Sequence, residues 1–178
     1  MTIYFRRKIE IKMEKKFELT DNFVINAFGI KLFQIKCTKS FKYANEGDLG
    51  GYVEKEDNLS QSGDAWVYVD ARVSGDAWVS GDAWVSGDAW VSGDAWVSGD
   101  ARVENNHMHC GFDCFGSCNR HTHAYKTKGN KVEITCGCFR GSLEEFEKKV
   151  EETHKGTIYE KQYKAIINLI KIKFGIDG

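Results

Sequence analysis

The sequence predicts a mainly β protein: a short left-handed β-helix of hexapeptide repeats, with an N-terminal β cap and a C-terminal α+β (ββαα) module. The main observation is a six-residue repeat over residues 59–103, whose near-identical copies read GDAWVS. Each copy carries a valine and, four residues later, an alanine, a spacing that suits a buried row on a β surface. The Gly-Asp pair supplies turn residues. A helix is disfavoured, because a period of six drifts around a 3.6-residue turn and repeated glycine destabilises it.

This repeat divides the chain into three segments: 1–58 as an N-terminal segment and β cap, 59–103 as the repeats, and 104–178 as the C-terminal module. In the first segment, apolar runs separated by Asp-Asn, Phe-Gly and Gly-Gly breaks predict short strands. These are Phe17–Leu19, Phe23–Ala27, Ile30–Cys37 and Tyr52–Val53. Met1 and Met13 are alternative starts, since the residues before Met13 are basic and lack a clear apolar period.

Three repeats complete one triangular turn in a left-handed β-helix, so residues 18 apart are expected to stack. The expected neighbours are Trp66, Trp84 and Arg102 on one face, Arg72 and Trp90 on the second, and Trp78 and Trp96 on the third. A block of about 45 residues has open edges and too small a core to stand alone. We therefore expect an exposed tryptophan surface that binds a partner or makes a homo-oligomer, a dimer or trimer. It comprises Trp66, Trp78, Trp84, Trp90 and Trp96. The alternative is a ladder that only stabilises the repeats.

The C-terminal segment predicts a hairpin and two helices. Arg120–Lys128 and Lys131–Phe139 flank a Gly-Asn turn. Ser142-Leu-Glu-Glu145 is a capping box that opens the first helix. The second helix is expected over Tyr159–Phe174, with Gly175 as its C-cap.

Two stretches resemble phage- and prophage-encoded hexapeptide-repeat proteins of the left-handed β-helix type, which carry a C-terminal ββαα module. They are LFQIKCTKSF…GDLGGYVEKEDNLSQSGDAWV before the repeats and CFGSCNRHTHAYKTK…ITCGCFRGSLEEFEKKVEETH after them. The similarity covers roughly residues 13–174. It implies a phage or mobile-element origin and a cytoplasmic setting, and it carries over no catalytic residues.

Charge is unevenly distributed along the chain, although the formal net charge is only −1. Residues 59–103 hold 2 Lys+Arg against 7 Asp+Glu, which gives −5, and each flanking segment carries +2. An acidic middle argues against DNA along the repeat face. The first residues lack the apolar core of a signal peptide, and no apolar run approaches the ~20 residues of a membrane span. We therefore expect the cytoplasm of a bacterial host, no membrane partner, and six cysteines kept as thiols.

Cysteine and histidine are concentrated just after the repeats: nine of them, His121 and His123 included, lie within residues 107–138, a composition that suits a structural zinc ion. The candidate ligands are Cys110, Cys114, Cys118, Cys136, Cys138, His107 and His109. The spacing is not that of a zinc ribbon or finger. The alternative is that these are small buried residues and loop thiols.

The leading functional expectation is a non-enzymatic, oligomeric phage accessory protein that acts by binding. One version inhibits a host defence component, by binding a protein or by sequestering a small nucleotide signal. The cationic candidates for a phosphate-bearing ligand are Arg120, Lys126, Lys128, Lys131 and Arg140, unless they only form a solvated face. Two alternatives stay open. One is an enzyme, either cysteine-dependent through Cys138 or acyltransferase-like with His107 or His109 as base. The other is a purely structural self-assembling protein.

Overall fold

A computed structural model describes residues 14–176, so the alternative start at Met13 lies outside the described residues. The N-terminal strands are β1 (Phe17–Ile25), β2 (Lys31–Cys37) and β3 (Leu49–Val53), and a 3-10 turn follows at Glu56–Asn58. The repeat block, residues 59–103, contributes seven two-residue strands: β4 (Trp66–Val67), β5 (Arg72–Val73), β6 (Trp78–Val79), β7 (Trp84–Val85), β8 (Trp90–Val91), β9 (Trp96–Val97) and β10 (Arg102–Val103). The C-terminal elements are β11 (His109–Phe115), β12 (Arg120–Lys126), β13 (Val132–Cys136), β14 (Phe139–Ser142), α1 (Leu143–His154) and α2 (Ile158–Phe174).

The N-terminal strands and two repeat strands share one sheet, in the order β1-β2-β3-β5-β8. β1, β2 and β3 are antiparallel neighbours, whereas β3 pairs in parallel with β5. The predicted N-terminal strands are confirmed in position, with the first two joined into β1 across a register shift. The N-terminal segment therefore continues one sheet of the repeat block.

The predicted pairing of residues 18 apart is confirmed. Trp84 pairs with Trp66 on one side and with Arg102 on the other. The remaining pairs join Arg72 to Trp90 and Trp78 to Trp96, all in parallel. The valine after each of these residues is buried, and so is the alanine before it. The repeat thus alternates inward aliphatic side chains with tryptophan or arginine on the other face of each strand, and of these Trp66 alone is fully buried.

The predicted fold class, a short left-handed β-helix with caps, is wrong. The described strands form four small separate sheets, of five, three, four and two strands, and no solenoid or closed sheet is found among them. The physical reason is strand length. Each repeat supplies only two extended residues between turns, so the repeat sheets stay narrow and the largest one extends from the N-terminal strands. The protein is mainly β, with mixed small sheets and two C-terminal helices.

The predicted ββαα module is wrong in its strand count, because four antiparallel strands precede the two helices, in the order β11-β12-β13-β14. The hairpin of β12 and β13 is confirmed. The helix boundaries are confirmed as well: Ser142 caps α1 through Glu145, and Gly175 ends α2 in the left-handed conformation. No helix within residues 14–176 has the length and apolar character needed to cross a membrane.

The C-terminal sheet has two different faces, because side chains alternate along each strand. One face is apolar and packs on α1 and α2, forming a second core that includes Ala124, Ile134 and Phe146. The other face carries polar and ionisable side chains. On β11 these are His109 and Asp113, on β12 they are His121, His123 and Tyr125, and on β13 they are Glu133 and Thr135.

Candidate functional site

The polar face of the C-terminal sheet lies against the end of the repeat block. Thr135 Oγ1 donates to the carbonyl of Trp96 at 3.2 Å, and Ala101 bridges to Thr127. Tyr125 is fully buried and belongs to the core of the repeat block, although its strand belongs to the C-terminal sheet. The contact between these parts is therefore built from side chains of both, and it leaves cavities on the polar face.

Three histidines meet on this face. His109 Nδ1 lies 3.0 Å from His123 Nε2, and the two ring centres are 5.3 Å apart. The ring centres of His121 and His123 are 5.7 Å apart. Gly111, which faces His123 in the strand pairing, leaves the space into which the His121 ring packs. The three rings line a cavity of about 180 Å³ together with Asp113; we call it the histidine cavity.

Burial controls the charge of two of these histidines. It lowers the pKa of His109 to about 4, and Lys173 contributes a smaller effect in the same direction. Burial also lowers the pKa of His123 to about 3, with further lowering by the two neighbouring histidines and a small opposing effect of the Trp96 backbone. Both imidazoles are therefore neutral at neutral pH, the form in which imidazole binds metals and accepts hydrogen bonds.

His121 has a different partner, the carboxylate of Asp113, which accepts a hydrogen bond from Nδ1. Within residues 14–176 its buried Nε2 has no hydrogen-bond partner in the protein, and Nδ1 of His123 has none within bonding geometry, although the Trp96 backbone lies near that residue. Buried polar atoms without partners are rare in folded proteins and call for a specific explanation. The histidine cluster is thus under-satisfied at two nitrogens.

A second cavity, of about 350 Å³, lies beside the first, and His121 lines both. We call it the Trp96 cavity. Its wall combines the indole of Trp96 with the charged side chains of Arg120 and Asp94, and Asn119 and Thr135 add polar groups. Trp96 is 37% exposed and stacks on Trp78 at a centroid distance of 5.4 Å. An aromatic face beside one cation and one carboxylate can hold a planar ring that carries both hydroxyl and anionic groups.

No protein-family model matches the chain, and a search of curated proteins finds no match to it. The chemistry of the site therefore has to be inferred from the residues themselves.

The five tryptophans do not form one exposed surface. Trp66 is fully buried between Phe17 and Phe41, so the prediction that it belongs to such a surface is wrong. Trp84 and Trp90 are half-buried. Only Trp78 and Trp96, at 41% and 37%, are exposed among the five. The exposed tryptophan surface is thus a single stacked pair, Trp78 and Trp96, beside the Trp96 cavity.

The cationic candidates are also dispersed. Arg120 lines the Trp96 cavity, whereas Arg140 forms an ion pair with Glu133. Lys126 donates to Asn130 within its own hairpin, and Lys128 and Lys131 are exposed near the same turn. Of the five, Arg120 is the one that the structure places at this cavity.

The proposed zinc ligands are divided between both faces of the sheet. Cys118, Cys136 and Cys138 line a cavity of about 220 Å³ on the side of the helices. Cys110 packs against the second core, where burial raises its pKa to about 11. The remaining candidates Cys114 and His107 are exposed, while His109 lies on the opposite face. Within residues 14–176, no three His, Cys, Asp or Glu side chains already stand close enough to hold a metal ion.

Sequence reasoning counted His121 and His123 in the Cys/His cluster but not among the candidate ligands, and it did not single out Asp113. Their signal was present, since His121, His123 and Tyr125 alternate along β12 and therefore share a face. What could not be read was the pairing of β11 with β12, which brings His109 and Asp113 beside them.

Proposed function

We propose that the protein is a non-enzymatic accessory protein of phage or prophage origin that binds a small nucleotide-like ligand in the cytoplasm of a bacterial host. Sequestration of such a ligand would inhibit a defence component that uses it as a signal. The observation that carries the proposal is the Trp96 cavity, where an aromatic face, a guanidinium and a carboxylate line about 350 Å³.

Each wall of this cavity suits one part of a nucleotide. The Trp96 indole stacks on a base, since base–aromatic stacking tolerates every base. The Arg120 guanidinium binds the phosphate, because its planar fork matches phosphate oxygens. The Asp94 carboxylate accepts hydrogen bonds from ribose hydroxyls. Asp94 also repels a second anionic group, so we expect a ligand with a single phosphate near Arg120.

We further propose that the protein is a homo-oligomer, a dimer or trimer, in which a second copy covers strand β1. Among the described residues this strand lies at the end of its sheet, so one row of its backbone groups pairs with no other described strand. Its outward apolar residues and the following turn are unusually exposed: Phe23 is 44%, Ile25 60% and Phe28 81% exposed. Native mass spectrometry tests this proposed oligomer by comparing the oligomeric state of the wild type with that of Ile25→Lys. A monomeric wild type contradicts it.

Isothermal titration calorimetry with adenosine monophosphate, cyclic dinucleotides and inorganic phosphate tests the ligand. We expect a nucleotide to bind and inorganic phosphate to bind at least tenfold more weakly, because the stacking is lost. Arg120→Gln should weaken nucleotide binding by about 1.5–3 kcal/mol, the usual range for a hydrogen bond to a charged group. Trp96→Leu should weaken it comparably.

Two matched controls distinguish the contribution of the cavity to nucleotide affinity from that of general positive charge and from that of the Trp78–Trp96 stack. Lys128→Gln removes an exposed cation of the hairpin and should leave the affinity unchanged. Trp78→Leu removes the partner of Trp96 without removing a wall of the cavity, and should have the smaller effect. Equal losses for Arg120→Gln and Lys128→Gln would contradict the proposal, as would no binding of any nucleotide.

A further inference from the structure

The histidine cavity has a feature that nucleotide binding does not use: three imidazoles face one another across two paired strands. Two imidazoles bound to one tetrahedral zinc ion at about 2.0–2.1 Å have nitrogens about 3.3 Å apart and ring centres about 5 Å apart. His109 Nδ1 and His123 Nε2 are 3.0 Å apart. The ring centre of His123 lies 5.3 Å from that of His109 and 5.7 Å from that of His121. His109 and His123 are thus already spaced as two zinc ligands are, whereas His121 lies beside His123 and does not yet complete a set of three.

In His109 and His121, the ring nitrogen that faces away from this centre has a hydrogen-bond acceptor. The orientation of the Asn106 amide is defined by two contacts, since its Nδ2 donates to Asp88 and its Oδ1 accepts from the Trp90 amide. Asn106 Oδ1 is therefore an acceptor for His109 Nε2, 3.4 Å away. Asp113 accepts from His121 Nδ1. Metal-binding histidines in proteins are oriented by this kind of contact from the other ring nitrogen to an oxygen.

These contacts determine which ring nitrogen of His109 and of His121 carries the hydrogen. The other nitrogen of each ring then has a lone pair that points to the centre of the cluster. With its hydrogen on Nε2, His109 has a lone pair on Nδ1, and His121 has one on its buried Nε2. His123 can then donate from Nε2 to His109, but its Nδ1 is left buried without a partner. The other tautomer places that hydrogen on Nδ1, near the Trp96 backbone, and leaves two lone pairs 3.0 Å apart. Neither arrangement satisfies all three rings, whereas a cation between them does.

We propose that His109 Nδ1, His121 Nε2 and His123 Nε2 bind one divalent transition-metal ion, of which zinc is the best match. His109 and His123 are in position, and the His121 ring turns towards them when the ion binds. The histidine cavity, of about 180 Å³, leaves a fourth coordination position for water or a ligand atom. Asp113 orients His121, and Asn106 orients His109.

The experiment uses the full chain, stripped of metal with EDTA, dialysed and titrated with Co²⁺ and Zn²⁺. Visible absorption follows Co²⁺, calorimetry follows Zn²⁺, and circular dichroism checks that each variant is folded. We expect one ion per chain and a tetrahedral Co²⁺ spectrum without a sulfur charge-transfer band. His121→Gln and His123→Gln should each weaken binding by more than tenfold, and Asp113→Asn by about 10- to 100-fold, as for other orienting carboxylates.

His107→Gln is the matched control, because His107 is an exposed histidine of the same segment. It should bind both ions as the wild type does. A sulfur-to-cobalt band that disappears in Cys118→Ser or Cys138→Ser would place the ion on the cysteines and overturn the proposal. So would a wild type that binds neither ion, or losses as large in His107→Gln as in His121→Gln. Because no nucleotide is present, this outcome is independent of the Trp96 cavity.

Discussion

Val69 stands at the repeat position where the other copies carry glycine. Those glycines, such as Gly75 and Gly81, all have φ between 62° and 72°, and Val69 has φ 56°. A β-branched side chain in the left-handed region is strained, at a cost of roughly 1–2 kcal/mol. The repeat therefore contains one position, Val69, at which the side chain disfavours the backbone conformation. Glycine, the residue of the neighbouring copies, would relieve that strain.

Val69→Gly should raise the free energy of unfolding by about 1 kcal/mol, because the relief of strain exceeds the greater flexibility of glycine in the unfolded chain. The side chain is 50% exposed, so little apolar burial is lost. Urea denaturation measures the change. Val73→Gly, at a buried strand position, is the control and should be destabilising. An unchanged or lower stability of Val69→Gly would show that the side chain contributes contacts that outweigh the strain.

At the element scale, the repeat strands depend on their buried valines. Val85 lies in β7, the central strand of the order β10-β7-β4, and it is fully buried. Val85→Asp places a carboxylate in this core without a partner, which should cost roughly 4 kcal/mol or more. We expect loss of the cooperative thermal transition. Val69→Asp is the matched control, because the same substitution is then made at a half-exposed valine where aspartate tolerates the backbone better. Comparable losses in both variants would mean that burial of Val85 is not what supports the strand.

The elements that the sequence predicted are those whose determinants are local. The start of α1 rests on Ser142 and Glu145, which hydrogen bond to each other's backbone three residues apart. The repeat pairing rests on a regular period. Strand β11 was not predicted, because Gly111 and Asp113 lower its strand propensity and its order comes from pairing with β12. Strand β14, at four residues, is too short to separate from a turn.

At the scale of the whole molecule, the outcome depended on contacts between distant segments. The burial of Trp66 needs Phe17 and Phe41 from the N-terminal segment, which no period within the repeats reveals. The same holds for the Trp96 cavity, whose walls come from the repeat block and from the C-terminal sheet. The composition of these segments indicated which residues were available for a site. Their juxtaposition required the docking of one part on the other.

Tyr125 links the repeat block to the C-terminal sheet, because its strand contributes to both hydrophobic cores. Its strand β12 has Ala124 in the second core, while Tyr125 itself is buried in the core of the repeat block. Its hydroxyl donates to Glu133 at 2.7 Å, so the side chain is anchored at both ends. The two cores are therefore expected to unfold in one cooperative transition.

Tyr125→Ala should lower the free energy of unfolding by about 3–5 kcal/mol, the range for truncation of a buried aromatic residue, and should split thermal unfolding into two transitions. Differential scanning calorimetry measures the split. Tyr125→Phe keeps the packing and removes only the hydrogen bond to Glu133, so it should retain a single transition at a slightly lower temperature. Tyr163→Ala truncates a buried tyrosine of the second core, and it should destabilise that core without releasing the repeat block from the sheet. If Tyr125→Ala still unfolds in one step, the cores are coupled mainly through the backbone contacts, such as that from Lys128 to Asp100, and not through the tyrosine.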